Sequence, residues 1–347
     1  MKIFTENAAR VFFLLVCCTI MRQTDAQVSV IRDPSQSKIH ITIGGKPFTD
    51  FVFTDTMEKP FLYPIYAPDG EVITRGFPWN PQPNDPTDHP HHIGLWFNYE
   101  NVNGLDFWNN SYAIAPEKKK MYGWIRTQHI LETKSGKDGK LVYTTNWTNQ
   151  AGTVLLQEKT TYLFQVINKS YVIDRTTVLT AVQDVAFPDV KDGMLGLRVA
   201  HELELPVTQT KEYKDDKGNI TKVPAVKDAS VTGNYITSEG KTGDDAWGTR
   251  GNWCMLYGKK GGDSISILMV DHPGNPGYPT YWHARNYGLF ALNPLGQKVF
   301  SNGKEVLNFK LPKGQSTTFK YRIVIASGKE KLTNPAIQKL ASDFSDR

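Results

Sequence analysis

The sequence predicts an all-β protein built as one large antiparallel β-sandwich, supersandwich-like, with a single short helix at its C-terminal end. Three observations predict this class. Apolar residues recur with period two through most of the chain, which turns one face of each extended segment toward a core. The 28 Gly and 20 Pro provide turns between these segments. Apolar residues with helical spacing stand out only after residue 333.

The first 26 residues have the composition of a secretory signal. Lys2 and Arg10 make its start basic, and residues 11–20 form an apolar run. Small residues end the segment, as a signal peptidase requires, so the mature chain is predicted to begin at Gln27. The sequence therefore predicts a secreted or periplasmic protein.

The mature chain is predicted to be one domain, residues 27–347, with no retained membrane span. The apolar run of the leader is too short to cross a bilayer as a helix. A lipoprotein acylated at Cys17 or Cys18 is an alternative that the large preceding residues disfavour. Removal of the leader leaves Cys254 as the only cysteine, and its strand-like surroundings predict a buried structural thiol.

Strands are predicted wherever the alternation is sustained between turn residues. The clearest pairs are two hairpins, the first closed by the turn at 136–139 and the second by 168–170. A last hairpin is predicted across the turn at 312–314. The predicted strand segments are 28–30, 39–43, 48–66, 93–98, 125–134, 140–148, 154–167, 171–182, 195–205, 264–270, 306–311 and 317–325.

Two long stretches interrupt this pattern. Residues 67–92 are rich in proline and are predicted to form a packed, functional loop. Residues 207–233 are polar and charged, which indicates a surface loop or flap.

The predicted helix follows Asn334 as N-cap with Pro335 in the first turn. Its apolar stripe is Ile337, Leu340, Ala341 and Phe344.

The charge pattern excludes one class of partner. The net charge of +5 is mild, and lysines and arginines are scattered except at 118–120. No basic stripe with interleaved aromatic residues is present, so the sequence predicts no nucleic-acid binding.

Two histidine-rich loops carry the predicted function. Asp88-His89-Pro90-His91-His92 precedes an aromatic strand, and a second Asp-His-Pro begins at Asp271, about 180 residues later. The sequence Tyr281-Trp282-His283-Ala284-Arg285 follows that second triplet. Because both loops are rich in histidine, arginine and aromatic residues, we predict that they meet in the fold and form one polar site.

Histidines so arranged suit either a metal or acid–base chemistry. In extended backbone His89 and His91 share a face, and His283 or His272 could complete a ligand set with Asp88 or Asp271. No HExxH or CxxC spacing is present, so a divalent metal is the alternative and no cofactor is predicted. Acid–base work needs a histidine titrating near neutrality beside a carboxylate. The predicted catalytic residues are His89, His91, His283, Glu202 and Asp271.

Arginines and aromatic rings are the predicted substrate contacts. Arginine holds a carboxylate or stabilises an oxyanion, and an aromatic ring stacks on the apolar face of a sugar. The predicted substrate-binding residues are Arg75, Trp96, Arg198, His272, Tyr281, Trp282 and Arg285. Each of these rings is also a candidate for ordinary packing, and the Asp-His-Pro triplets are also candidates for ordinary turns.

Four stretches resemble a family of secreted bacterial proteins often labelled "methane oxygenase PmoA". They read DHPHHIGLWF (88–97), LGLRVAHELE (195–204), DHPGNPGYPTYWHARNYGLFALNPLG (271–296) and LPKGQSTTFKYRIVIASG (311–328), and the resemblance extends over nearly all of residues 28–347. The chain has no multiple apolar spans and no strong copper motif, so the label does not fit it as an oxygenase.

The closing segment also resembles the end of the galactose-mutarotase-like supersandwich. That resemblance implies sugar chemistry on a concave sheet face, with Arg198 and Glu202 lining it and the histidine loops closing one end. The resulting hypothesis is an exported carbohydrate-active enzyme of lyase, epimerase or hydrolase type. The alternatives are a non-catalytic glycan-binding module and a metal-dependent oxidase or oxygenase.

Overall fold

A computed structural model describes residues 27–206, 210–214, 220–223 and 228–346. The predicted signal segment lies outside the described residues, as do residues 207–209, 215–219 and 224–227 of the predicted flap. The strands, in chain order, are β1 Val28–Asp33, β2 Lys38–Ile43, β3 Lys46–Val52, β4 Phe61–Ile65, β5 Leu95–Tyr99, β6 Trp124–Lys134, β7 Gly139–Thr148, β8 Val154–Ile167, β9 Ser170–Ala181, β10 Val185–Phe187, β11 Gly193–Arg198, β12 Lys211–Lys214, β13 Ile220–Val223, β14 Asn234–Thr237, β15 Trp253–Lys260, β16 Asp263–Asp271, β17 Tyr281–Ala284, β18 Leu289–Asn293, β19 Phe309–Leu311 and β20 Ser316–Gly328.

Two antiparallel sheets of eight strands make up the protein. The first has the order β1-β2-β3-β4-β5-β11-β18-β17, and the second has the order β14-β15-β16-β20-β9-β8-β7-β6. Two small ribbons, β10-β19 and β12-β13, accompany them. The predicted all-β class is confirmed.

The inner faces of the two sheets pack on each other and form one core. Alternate residues along each strand point inward, as the period-two pattern predicts. Phe51 of the first sheet lies 4.4 Å, between ring centroids, from Tyr143 of the second. Phe97 lies 5.9 Å from Phe319 in the same way. These contacts make the pair of sheets a sandwich.

Most predicted strands are present, and two expectations need correction. The alternation at 195–205 is a strand only to Arg198, after which His201–Leu203 form a short 3-10 helix. The segments at 306–311 and 317–325 do not form a hairpin. β20 is paired on both sides, with β16 and β9, so β19 pairs with β10 instead.

The C-terminal helix, α2 (Asn334–Ser345), covers the outer face of the second sheet. It begins one residue earlier than predicted, with Thr333 as N-cap and Pro335 in its first turn. All four residues of the predicted stripe are buried. Arg322 of β20 donates to the carbonyl oxygen of Leu340 (3.0 Å), which ties helix to sheet.

Other helical elements are short: α1 (Gln297–Phe300) and 3-10 turns at Pro116–Met121, His201–Leu203 and Gly243–Ala246. Among the described residues, none of the helices has the length and hydrophobicity that a membrane crossing requires.

The outer face of the first sheet positions the histidine loops. On β5 and β11 the inward residues join the common core, whereas Trp96, Asn98 and Arg198 point the other way. A separate apolar cluster forms there around Trp96 and Trp108. The proline-rich loop crosses over this face.

Candidate functional site

The first histidine loop is a tight turn and not an extended segment. The backbone of His89 is left-handed (φ 46°), and the amide of His92 donates to the carbonyl oxygen of His89 at 2.9 Å. A non-glycine residue in this region is strained, and such strain often marks functional sites. The turn brings the rings of His89, His91 and His92 together, although extended backbone would separate the last two. The residue that follows the turn, Gly94, must be a glycine, because a Cβ there would lie 2.1 Å from the carbonyl oxygen of Leu62.

Arg75 holds this turn in place. Its guanidinium donates to the carbonyl oxygens of Pro86, Asp88, His89 and His92 at 2.9–3.0 Å. It also donates to the Asp88 carboxylate at 2.8 Å. Arg75 is buried, so a sequence-predicted substrate contact is here occupied with the loop itself.

The Asp88 carboxylate is the centre of the polar cluster. Oδ1 accepts from Arg75 and from Arg198 (2.9 Å), and Oδ2 accepts from His89 Nδ1 and from Arg198 at 3.3 Å. Burial raises the pKa of Asp88, but Arg198, His89 and Arg75 together outweigh burial and hold that pKa well below its ordinary value. Asp88 is therefore ionised at neutral pH.

Four rings stack through the site in the order Tyr287, His89, His92, Trp96. The centroid of His89 lies 4.9 Å from Tyr287 and 4.8 Å from His92, with interplanar angles of 3° and 1°. His92 stacks in turn on Trp96 at 5.3 Å. This stack and the Asp88 contact fix both the plane and the in-plane rotation of the His89 ring.

The loop between β17 and β18 closes over the other side of His89. It carries Arg285 and Tyr287, and His283 lies just before it in β17. His283 Nε2 accepts from Arg285 Nε at 3.2 Å, and its Nδ1 lies 3.3 Å from Asp192 Oδ1 without the alignment of a hydrogen bond. The guanidinium of Arg285 lies over the Trp247 ring, 4.5 Å from its centroid.

A chain of ion pairs extends the cluster along the sheet edge. Arg198 reaches Glu204 at 3.5 Å, and Glu204 accepts from His201 Nδ1 at 3.1 Å. The hydrogen bond to Glu204 raises the pKa of His201. Arg198 also lies over the Tyr287 ring, 5.1 Å from its centroid.

Burial sets the protonation of the other rings. It lowers the pKa of His91, His92 and His283 well below the ordinary value, so these imidazoles are neutral at pH 7. The charge of Arg285 lowers the pKa of His283 further, and the stacking of His89 on Tyr287 shows that the two segments are neighbours. Burial raises the pKa of Tyr287, whose hydroxyl stays protonated.

Lys59 is a buried cation below the turn. Its ammonium donates to the carbonyl oxygen of His91 at 2.8 Å and lies 5.6 Å from the Trp96 ring centroid. Burial lowers the pKa of Lys59 to about 8, while Glu58 and Asp106 oppose that shift. The sequence alone gave no reason to select this residue.

The structure brings together only part of the predicted site. His89, His91, His283, Arg75, Arg198 and Arg285 lie in one cluster, so the first loop meets the 281–289 segment. The second Asp-His-Pro triplet lies elsewhere, which corrects the expectation that both triplets meet. Its His272 packs 5.4 Å from Phe344 of α2, on the second sheet.

Asp271 has a structural environment. Its carboxylate accepts from the amide of Thr280 (2.9 Å) and from the side chain of Asn275 (2.7 Å), which also brackets the backbone of Lys320. Burial raises the pKa of Asp271 to about 7, and these hydrogen bonds oppose it. The triplet therefore connects the end of β16 to neighbouring backbone.

The predicted stacking rings have no exposed face. Trp96 packs against Trp108 at 5.1 Å, Tyr281 stacks on Phe300 at 5.3 Å, and Trp282 belongs to the common core. A stacking role for them would require a rearrangement that uncovers them. The half-buried rings of the site are Tyr287 and Trp247.

Glu202 lies apart from the cluster and lines a neighbouring cavity of about 460 Å³. The strand predicted at 195–205 would have placed Glu202 beside Arg198. The 3-10 turn rotates it away and brings Glu204 to Arg198 instead. The expectation that Glu202 lines the same face as Arg198 is thus corrected.

The described side chains of the site do not form a set of metal ligands. In the described ranges, no three His, Cys, Asp or Glu side chains are grouped so as to hold a metal ion. The rings of His89, His91 and His92 contact one another, and His89 contacts Asp88 directly, so these residues do not converge on a common point as metal ligands do.

Besides Lys59, four site residues are not among those predicted from the sequence. Glu204 and Tyr287 lie within the segments 195–204 and 271–296, close in sequence to Arg198 and Arg285, and that spacing is the signal that could identify them. Asp192 precedes β11 in no motif, so only the fold brings it to the site. His92 joins the site because the backbone turns at His89, whereas extended backbone would direct its ring away from His91.

Comparisons with known proteins give a family and several distant folds. The model of a family of unknown function (DUF6807) matches residues 38–342. That description assigns no oxygenase activity. None of the curated proteins matches the chain.

Among solved structures, a GH36 α-galactosidase, AgaB from Geobacillus stearothermophilus, is 12% identical with a TM-score of 0.38, covering 87% of this chain and 41% of its own. The chain thus spans about two fifths of that enzyme. A putative aldose 1-epimerase from Escherichia coli K12 is 9% identical (TM-score 0.35; 87% and 99% covered). The Slr1438 protein from Synechocystis sp. PCC 6803 is 9% identical (TM-score 0.33; 95% and 100% covered). Likenesses this distant carry no argument about activity.

Proposed function

The chain belongs to the family of unknown function DUF6807, and we propose from its own site that it is an exported carbohydrate-active enzyme in which His89 is the general base. The observation that carries this proposal is the Asp88–His89 pair, held by two buried arginines and clamped between two parallel rings. The reaction is of a class in which a base takes one proton and an acid donates another: an epimerase takes it from the sugar and returns one to it, a lyase takes it from a sugar carbon and protonates the leaving group, and a hydrolase takes it from water and protonates the leaving group.

The pair orients a basic nitrogen. Asp88 accepts from Nδ1 of His89, which fixes the tautomer with the proton on that atom and leaves the lone pair on Nε2. Arg75 and Arg198 hold the carboxylate ionised, so a positive charge that develops on His89 is stabilised as the proton is taken. His89 retains some solvent exposure, with 17% of its side chain accessible.

The acid and the charge-stabilising groups lie beside it. The protonated Tyr287 hydroxyl supplies a hydrogen-bond donor or a proton, and the partly exposed guanidinium of Arg285 can stabilise an oxyanion. His283 is neutral and receives a hydrogen bond from Arg285, which makes it a positioning residue for that guanidinium.

A sugar suits the groups that line the open side. Asp88, His89, Tyr287, Arg285 and Asp192 are the partly exposed members of the cluster, so solvent enters between them. Charged and hydroxyl groups bind sugar hydroxyls, and the half-buried Tyr287 ring offers an apolar surface. A module that only binds glycans needs no ionised carboxylate behind a strained histidine, so the enzyme is favoured.

The decisive experiment compares two histidine variants on a panel of plant and host glycans, with products separated by chromatography. His89→Ala should lower turnover by roughly 10²–10⁴-fold, the usual contribution of a positioned base. His129→Ala, which removes an exposed histidine from β6, should leave turnover unchanged. Undiminished turnover by the His89 variant would rule out this base.

Export is proposed on the composition of residues 1–26, which precede the described chain. Expression of the full-length gene product in a bacterial host should yield periplasmic or extracellular protein whose N-terminal residue is Gln27. Protein retained in the cytoplasm with its N-terminus intact would contradict export.

A further inference from the structure

The cavity beside Glu202 lies where the two sheets meet at one edge of the sandwich. Its walls come from the end of β4, from the proline-rich loop, from the 3-10 turn at His201–Leu203 and from the end of β15. The volume of about 460 Å³ falls within the range of small-molecule sites. No residue of the turn at 88–92 lines it.

Most of the residues that line the cavity have polar side chains. Lys260 donates to Glu202 at 2.5 Å and lies 4.0 Å from Glu71, so the ammonium joins two carboxylates across the cavity. Burial opposes ionisation of Glu202, but the bond from Lys260 outweighs it and lowers the pKa of Glu202. Amide side chains, including Asn80 and Asn84, and two tyrosines complete the lining.

From this lining we propose that the cavity is a second binding subsite, which takes a neutral sugar unit. Carboxylates and amides in pairs accept and donate hydrogen bonds to vicinal hydroxyls, and the tyrosine rings supply apolar surface. An anionic ligand is disfavoured because Glu71, Glu202 and Asp85 all face the cavity with Lys260 as the opposing lysine.

A short series of contacting side chains separates the subsite from the proposed catalytic pair. His201 lines the cavity, hydrogen-bonds to Glu204, and Glu204 contacts Arg198, which holds Asp88. Because the two places are neighbours, we assign the sugar unit in the cavity to the remote part of a substrate whose reacting part lies at His89. Only this link rests on the proposed function, whereas binding in the cavity is tested without turnover.

The experiment is calorimetric titration of the His89→Ala protein with neutral mono- and disaccharides, and with hexuronates as the charged comparison. Asn84→Trp, added to that protein, places a large ring at an exposed wall position and should abolish saccharide binding. Gln150→Trp, in the exposed turn after β7, is the matched control and should leave affinity unchanged. Glu202→Gln should weaken binding by about tenfold, as loss of a charged hydrogen-bond acceptor does.

Binding of neutral saccharides that both cavity variants weaken supports the subsite, whether or not turnover is ever found. Absence of saccharide binding by the His89→Ala protein, tighter binding of hexuronates, or affinity that survives Asn84→Trp would overturn it. Loss of turnover without loss of binding in the His89→Ala protein concerns the base alone, so the two proposals fail separately.

Discussion

At the scale of single residues, Asp88 combines a structural and a chemical role. Two fully buried arginines, Arg75 and Arg198, donate to its carboxylate. The same carboxylate accepts from His89 and thereby orients that ring. Removing its charge would leave both guanidinium groups without their common counter-charge, which is costly in a buried setting.

Asp88→Asn should lower both turnover and stability. We expect turnover to fall by about 10²–10⁴-fold, because the amide no longer fixes the tautomer of His89. The free energy of unfolding should fall by about 1–3 kcal/mol at neutral pH. Because the folded-state pKa of Asp88 is lowered, its stabilising effect is present above the unfolded pKa, about 4, and is lost as the pH falls through the folded value.

Denaturant titrations at several pH values measure this effect. The difference between wild type and Asp88→Asn should shrink below pH about 4 and stay constant from there to neutrality. Asp138→Asn, in the exposed turn before β7, is the control and should match wild type throughout. A difference that does not change with pH would argue against an ionised Asp88.

Asp271 should give stability the opposite dependence on pH. Burial raises its folded-state pKa to about 7, so its ionisation is harder in the folded than in the unfolded chain. The free energy of unfolding should therefore decline as the pH rises from about 4 to about 7, by roughly 2–4 kcal/mol, and level off above that.

Asp271→Asn should remove this decline. Any change that the amide makes to the free energy of unfolding through its contact with Asn275 should be the same at every pH. The slope of unfolding free energy between pH 4 and pH 7 is the measurement, with Asp138→Asn as the variant that retains it. An unchanged slope in Asp271→Asn would show that another group titrates in that range.

Local sequence identified some site residues and not others for a physical reason. His89 stands in a polar, histidine-rich run and Arg198 is a charged residue in an otherwise apolar strand, and both features are visible without the fold. Asp192 and Lys59 become site residues only through antiparallel pairing of distant strands, which the period-two pattern leaves undetermined. Asp271 shows the converse, since the same Asp-His-Pro sequence here serves as a connection in the second sheet.

At the scale of elements, α2 acts as a cover for the second sheet. Its buried stripe packs against β15, β16 and β20 residues such as Trp253 and Val324. Helical spacing of apolar residues determines which face is buried, so this element was predictable to within one residue. The end of the strand predicted at 195–205 was not predictable in this way. The apolar alternation continues past Arg198, although the backbone turns there into the 3-10 helix at His201–Leu203.

Ile337→Ala should therefore destabilise the protein by about 2–4 kcal/mol, because it leaves a cavity under α2. Ile337 is fully buried, whereas its neighbour Gln338 is exposed. Gln338→Ala should change the free energy of unfolding by less than about 0.5 kcal/mol. Equal effects of the two substitutions, measured by denaturant unfolding, would mean that the helix does not pack as described.

At the scale of the whole molecule, both sheets share one core. The common cluster includes residues of every strand from β1 to β9 and continues through β20. A shared core couples the sheets, because neither can expose its inner face without exposing the other. The single domain expected for residues 27–347 stays a prediction, which the cooperativity of unfolding tests.

The described chain should therefore unfold in one cooperative transition. Tryptophan fluorescence and far-ultraviolet circular dichroism should report the same midpoint. Phe97→Ala, in the shared core, should lower the free energy of unfolding by about 3–5 kcal/mol and move both midpoints together. Tyr112→Ala, at an exposed ring, should move neither midpoint. Two separated midpoints would indicate two independent units.

The cavity at the sandwich edge has a practical consequence for this coupling. Because its walls belong to both sheets, a ligand bound there would contact both of them and stabilise the folded state by mass action. At a hundredfold excess over its dissociation constant a ligand adds about 2.7 kcal/mol. Melting temperature, recorded across a saccharide library with a reporter dye, would thus rank the compounds that fit before any turnover assay exists.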